Sequence, residues 1–139
     1  MKHSLIVILI LGTTIFGCST GVAPTEPRLP DIYGNWQWVK SVGGFAGTTV
    51  TPATAGYTQR VVLKSGNTCE YYKNDTLMTT AQFAIYREKT SFSSDSVDVI
   101  HYLAPVHFFD QIVSQAGSDT LALADLCMDC FKHTYVRIK

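Results

Sequence analysis

The side chains best suited to chemistry are Cys127 and Cys130, in Cys-Met-Asp-Cys, with His133 three residues on and Cys69 earlier in the chain. Thiolates and an imidazole at this spacing could form a Cys3His zinc set. Two cysteines flanking two residues could also cycle between dithiol and disulfide, but that chemistry belongs in a βαβ setting that the surrounding sequence lacks. A c-type haem attachment fails, because Phe131 rather than histidine follows Cys130. His101, His107 and His133 fall on separate expected strands, among Asp98, Asp110, Asp125 and Asp129. The sequence has no Gly-x-Ser-x-Gly elbow, no His-Glu-x-x-His and no carboxylate pair at a recognisable catalytic spacing. A histidine on a strand is more often a satisfied, half-buried residue than an acid–base group. We therefore expect no resident metal, no cofactor and no enzymatic activity.

Two further classes are excluded by pattern. Residues 42–56 (VGGFAGTTVTPATAG) are glycine-rich, but no Gly-Lys-Ser/Thr follows, so they do not cradle phosphate. Eleven basic residues balance eleven acidic ones without a basic stripe, which argues against a nucleic-acid partner.

The elements that must position these residues read as strands. The chain of 139 residues is 46% apolar and 16% charged, enough for one domain with a real core. Its apolar residues recur with period two. Trp36, Trp38, Lys40 and Val42 would share one face of a first strand, and Tyr57, Val61 and Leu63 one face of a second. A third strand covers 68–73, after a turn at Ser65-Gly66-Asn67. A fourth covers 77–87, after a turn at Asn74-Asp75, with Leu77, Ala81, Phe83 and Ile85 on one side. Residues 96–103, 107–114, 120–125 and 131–138 supply the rest, with 115–119 (QAGSD) a hairpin connection. Short β-rich runs punctuated by Gly, Asn and Asp define an all-β meander, and no window makes a persuasive amphipathic helix. About eight strands is the number at which an up-and-down antiparallel sheet closes into a small β-barrel, which also removes its exposed edges. The longest connection, 42–56, is expected either as a lid, with Phe45 covering apolar cargo, or as a solvated or edge-pairing stretch.

The N-terminus is an address. Lys2 and His3 precede a short apolar run from Leu5, too brief to span a membrane comfortably, as in a secretory signal. Ile15-Phe16-Gly17-Cys18 resembles the bacterial lipobox, with Phe16 its one departure. The resemblance implies removal of residues 1–17, a diacylglycerol thioether on Cys18 and acylation, as by palmitate, of its new amine. Acyl chains contribute about 0.8 kcal/mol per buried methylene, so the partner is a membrane held without a spanning helix. Ser19 is not the aspartate of inner-membrane retention signals, which implies an outer-membrane address facing the periplasm. Residues 18–30 (CSTGVAPTEPRLP) form the acylated cysteine and a proline-containing tether, and 31–139 the folded domain. In an oxidising compartment Cys69, Cys127 and Cys130 allow one disulfide in three ways. Closure of 127–130 on itself and a bridge to Cys69 both stay open, the longer loop stabilising more, by about 4 kcal/mol.

Gly34-Asn35-Trp36 at the start of the first strand, with Arg137 in Tyr135-Val-Arg-Ile138 on the last, resembles the lipocalin signature. More closely, Gly34–Trp38, Gly43-Gly44 with Gly47, Thr51-Pro52 and His133–Arg137 resemble the small lipocalin-like lipoproteins of Bacteroidetes-type bacteria. The resemblance implies a calycin-type barrel in which Arg137 packs over Trp36 at the closed end, with Gly34 allowing a tight turn. No room remains for a C-terminal helix after Ile138. It also implies non-catalytic binding or carriage of a small apolar or amphiphilic ligand. Phe45, Tyr57, Tyr86 and Phe108 are the residues expected around mouth and interior. The alternative is a filled barrel acting as a structural or protein-partner-binding envelope module, which an interior without a cavity above about 300 Å³ would favour.

Overall fold

Alternating side chains give each strand one face that must be buried, and eight such strands bury them against one another by closing the sheet on itself. The computed structural model describes residues 31–103 and 108–139; the expected signal peptide, Cys18, the tether and His107 lie outside the described residues. The strands are β1 (Gly34–Gly43), β2 (Thr48–Val50), β3 (Gln59–Lys64), β4 (Thr68–Lys73), β5 (Thr76–Glu88), β6 (Val97–Leu103), β7 (Gln111–Ala116), β8 (Thr120–Asp125) and β9 (Phe131–Ile138). Every pairing is antiparallel between neighbours, and β1 pairs with both β3 and β9, so eight strands form a closed up-and-down barrel.

Turn chemistry fits this path. Asn74 and Asp75 both take positive φ, 48° and 60°, as the two-residue hairpin between β4 and β5 requires, and Asn67 does so at 55° between β3 and β4. Residues 42–56 resolve into two features beyond the eight expected strands. β2 pairs with the end of β1 through Ser41↔Val50, Val42↔Thr49 and Gly43↔Thr48. One helical turn, α1 (Pro52–Ala55), follows, capped by reciprocal hydrogen bonds between Thr51 and Thr54 and ended by Gly56 at φ 73°. The edge-pairing reading of this connection is the correct one for Thr48–Val50. Phe45 sits at the hairpin tip, 97% exposed, and covers nothing.

Three irregularities break the strict alternation. Opposite β9, β1 runs Trp38↔Tyr135 and then Lys40↔Thr134, so Val39 is the extra residue of a β-bulge. Past it the faces exchange: Ser41 is buried while Lys40 and Val42 are exposed, correcting the expectation that Trp36, Trp38, Lys40 and Val42 share a face. The reason is energetic, since an unpaired ammonium inside the barrel would cost far more than one skipped ladder bond. A similar shift opposite Tyr71 and Tyr72 makes Met78 the extra residue of β5 and turns Leu77 outward, away from Ala81 and Phe83. A third, between Val113 and Gln115, leaves Ser114 bonded through its hydroxyl to Ala122 O at 3.0 Å.

The closed end is built on Trp36, which is fully buried with Ile32, Leu63, Phe83 and Leu121. Its indole N–H donates to Ile32 O at 2.6 Å. Arg137, its cross-strand partner, lays its guanidinium 4.1 Å from the indole centroid. The same guanidinium donates to Tyr33 O at 2.6 Å, to Ser118 O and to Asp31 at 3.4 Å, tying the segment before β1 and the β7–β8 turn to one cation. Gly34 makes the overlap feasible. At φ 141° it occupies a region that disfavours side chains, and a Cβ there would collide with Arg137 Nη1.

Two stability measurements check this account. Trp36→Ala should lower unfolding free energy by about 3–5 kcal/mol in urea titration. Gly34→Ala should cost about 1–3 kcal/mol, and Arg137→Ala should relieve part of that loss, so that the two changes together cost less than their sum.

Candidate functional site

The bulge at Val39 sets the inner face of the β1–β9 ladder as three successive pairs: Trp36 with Arg137, Trp38 with Tyr135, and Ser41 with His133. The third pair begins a chain of polar side chains toward the open end of the barrel. Trp38 Nε1–H donates to Ser41 Oγ at 2.8 Å, and Ser41 Oγ lies 2.7 Å from His133 Nδ1. His133 Nε2 lies 3.1 Å from Asp125 Oδ2, and the Gln111 amide donates to Asp125 Oδ1 at 2.8 Å. The Tyr102 hydroxyl donates to Gln111 Oε1 at 2.9 Å. The chain thus runs Trp38→Ser41→His133→Asp125 from one side and Tyr102→Gln111→Asp125 from the other.

Proton counting orients the imidazole. The indole can only donate, so the Ser41 hydroxyl hydrogen is free to point at His133 Nδ1, leaving Nε2–H to donate to Asp125. In this arrangement the Trp38 indole N–H, the Ser41 hydroxyl and the His133 Nε2–H each have an acceptor. Asp125 is the common acceptor. Burial pushes its carboxyl upward, but hydrogen bonds from His133 and Gln111, the His133 charge interaction and the Phe131 backbone outweigh it, and the carboxyl is held below its ordinary value. Ser41, His133 and Asp125 have the composition of a nucleophile triad. Ser41, however, sits within a strand paired on both sides, with Val50 and His133, and its oxygen is already capped by the Trp38 indole.

Two cavities flank the chain. The larger, about 220 Å³, is lined by Tyr71, Tyr102, Phe108, Phe109 and Tyr135, with Gln59, Gln111, Asp125 and His133 as polar groups and Val61 and Cys69 between them. The smaller, about 170 Å³, lies between Trp38, Ser41, Val50, Tyr57 and Phe131, and shares Gln59 and His133 with the first. Phe108 meets Tyr71 with ring centroids 5.9 Å apart at 68° and Tyr102 at 5.2 Å and 59°, forming an aromatic corner. Burial and neighbouring negative charge keep the Tyr102 and Tyr135 phenols protonated far above the usual range.

Of the residues expected around mouth and interior, Phe108 lines the larger cavity, and Tyr57 lines the smaller one and stacks on Trp38 at 6.0 Å. Phe45 and Tyr86 line neither. Tyr86 is on the outer wall against His101, its rings 5.5 Å apart, because Ala81, Phe83 and Ile85 fill the opposite parity of β5. That parity was readable in the sequence. His101 itself lies between Asp110 at 2.8 Å and Glu88 at 3.1 Å on the same outer wall. The residues missed were Ser41, Gln59, Tyr71, Tyr102, Gln111 and the site roles of Asp125 and His133. A charged Lys40 in an inward position was the one signal that the register had to shift.

Cys127 and Cys130 form a disulfide across the β8–β9 loop, their Cα atoms 5.6 Å apart. Cys69 is a buried thiol, pushed up to about 12 by burial and then by the charge of Glu70, so it is protonated and unreactive. Among the described residues no group of three or more His, Cys, Asp and Glu is arranged to hold a metal ion, and the Cys3His set is not assembled. In comparisons with known proteins, the chain matches no protein-family model, no curated protein and no solved structure.

Two measurements follow. Because the Asp125 carboxyl is lowered in the folded state, its stabilisation is complete above the ordinary value of 3.8 and is lost as pH falls through the folded-state value. The stability difference between the wild type and Asp125→Asn should therefore shrink as pH is lowered from about 5 to 2. Iodoacetamide at about pH 8, followed by peptide mapping, should leave Cys69 unmodified in the folded protein and modify it in urea.

Proposed function

We propose that this chain is a lipid-anchored protein of the bacterial envelope that binds a small, largely apolar molecule without transforming it. The observation that carries the reading is the aromatic cavity of about 220 Å³ at the end of the barrel opposite Trp36, walled by rings and floored by polar groups of fixed orientation. Pockets for small molecules combine apolar walls with a few placed polar atoms in this way. The size narrows the ligand. A cavity of about 150 Å³ holds a benzene ring, whereas drug-sized ligands need about 300 Å³ or more. A single ring or a short branched chain fits, and a fatty-acyl chain does not. The lipocalin-like resemblance and the lipobox at Cys18 supply the setting, a periplasm-facing outer membrane, and the capped Ser41 supports binding over catalysis.

The filled-barrel alternative has its own support. Both cavities fall below about 300 Å³. Phe45 and Met128, in the β1–β2 and β8–β9 loops at the open end, are almost fully exposed, as partner-contacting residues would be.

Native mass spectrometry of protein from its own host should show a co-purifying small molecule, lost in Phe108→Trp, which fills the cavity. Its absence from fresh wild-type protein favours the partner module. Cys18→Ser should move the protein from the membrane to the soluble fraction, and unchanged fractionation defeats the anchor.

A further inference from the structure

The larger cavity has a charge character that its apolar walls conceal. Among the described residues lining it, Asp125 is the only carboxylate, and no lysine or arginine is present. His133 lies between Ser41 Oγ at 2.7 Å and Asp125 Oδ2 at 3.1 Å, and the Gln111 amide donates to Asp125 Oδ1 at 2.8 Å. The cavity therefore presents a carboxylate held by hydrogen bonds, with no lysine or arginine beside it among the described lining residues.

Its walls are suited to the opposite sign. Phe108 stands at 68° to Tyr71 and at 59° to Tyr102, with Tyr135 and Phe109 also in the lining. Aromatic faces are negative, and rings set at steep angles around a small volume are the arrangement that holds alkylammonium groups. A cation that leaves water for the cavity needs a counter-charge, and Asp125 provides it. An anion would face both the carboxylate and the aromatic lining. Among the described residues, the ammonium group that lies over an aromatic is Lys73 Nζ, 4.2 Å over Tyr57, a wall of the smaller cavity, so it does not fill this role.

We propose that the larger cavity is a site for a small organic ammonium ion, a quaternary or primary alkylamine of roughly monocyclic size. The inference rests on the small-ligand reading above and names the ligand's charge. Choline chloride and its neutral isostere 3,3-dimethylbutan-1-ol test it directly, titrated by calorimetry into the full chain in nonionic detergent, with sodium acetate as the anion. Choline should bind about tenfold or more tighter than the alcohol, and acetate should not compete. Asp125→Asn should weaken choline about tenfold while leaving the alcohol within about threefold. Tyr102→Leu, which keeps the carboxylate and removes a ring, should also weaken choline, with circular dichroism confirming a folded barrel for both variants. Equal affinity for alcohol and choline, or choline binding untouched in both variants, overturns the ammonium site and leaves the small-ligand reading standing. Binding of none of the three, with no small molecule in the native mass spectrum, overturns both.

Discussion

The whole structure depends on β1 being paired on both sides, with β3 and with β9. A meander of eight strands that failed to close would expose two edges, each a row of unsatisfied backbone groups open to aggregation. Closure is secured where the first and last strands meet, by Trp36 against Arg137. The indole contributes buried apolar area, and the guanidinium reaches Tyr33, Ser118 and Asp31, three points far apart in the chain. Gly34 is the condition for that contact, because only a residue without Cβ leaves room for Arg137 Nη1.

The same ladder governs the site. A regular β1 would put Lys40 opposite His133 and leave Ser41 in solvent. Skipping Val39 exchanges them, so a hydroxyl meets the imidazole and the ammonium reaches water. One residue of slip is enough to invert every side chain beyond it. The relay from Trp38 to Asp125 therefore exists because of a local backbone irregularity and not because of any sequence motif. Bulges near functional sites commonly re-aim side chains in this way.

This explains what the sequence disclosed and what it withheld. Period-two patterning and turn residues such as Asn74-Asp75 located the eight barrel strands, since both signals are local. Trp36 and Arg137 were legible because each terminates a recognisable strand and their partnership follows from a resemblance. Tyr57 and Phe108 fell on cavity walls, whereas Tyr86 was misplaced although the inward series Ala81, Phe83 and Ile85 already excluded it. Ser41, Gln111 and Asp125 could not be assembled from pattern alone. Their meeting depends on the register of four strands, β1, β7, β8 and β9, and on two bulges. The cysteines were half legible: three pairings were open, and the short one formed because Cys69 points into the barrel, away from the loop that carries the other two.

The two ends of the barrel solve opposite problems with similar materials. At the closed end an aromatic and a cation satisfy each other, and the space is full. At the open end aromatics surround a carboxylate that is hydrogen-bonded to Gln111 and His133, and space of about 220 Å³ remains. Stability alone would favour filling that volume with a larger side chain and replacing the buried carboxylate by an apolar residue. Asp125 instead sits in a chain of six hydrogen-bonded side chains, and such a network adds little to a fold that apolar packing could secure more simply. Retained void and retained carboxylate lie in the same place, which is where the proposed ligand would bind.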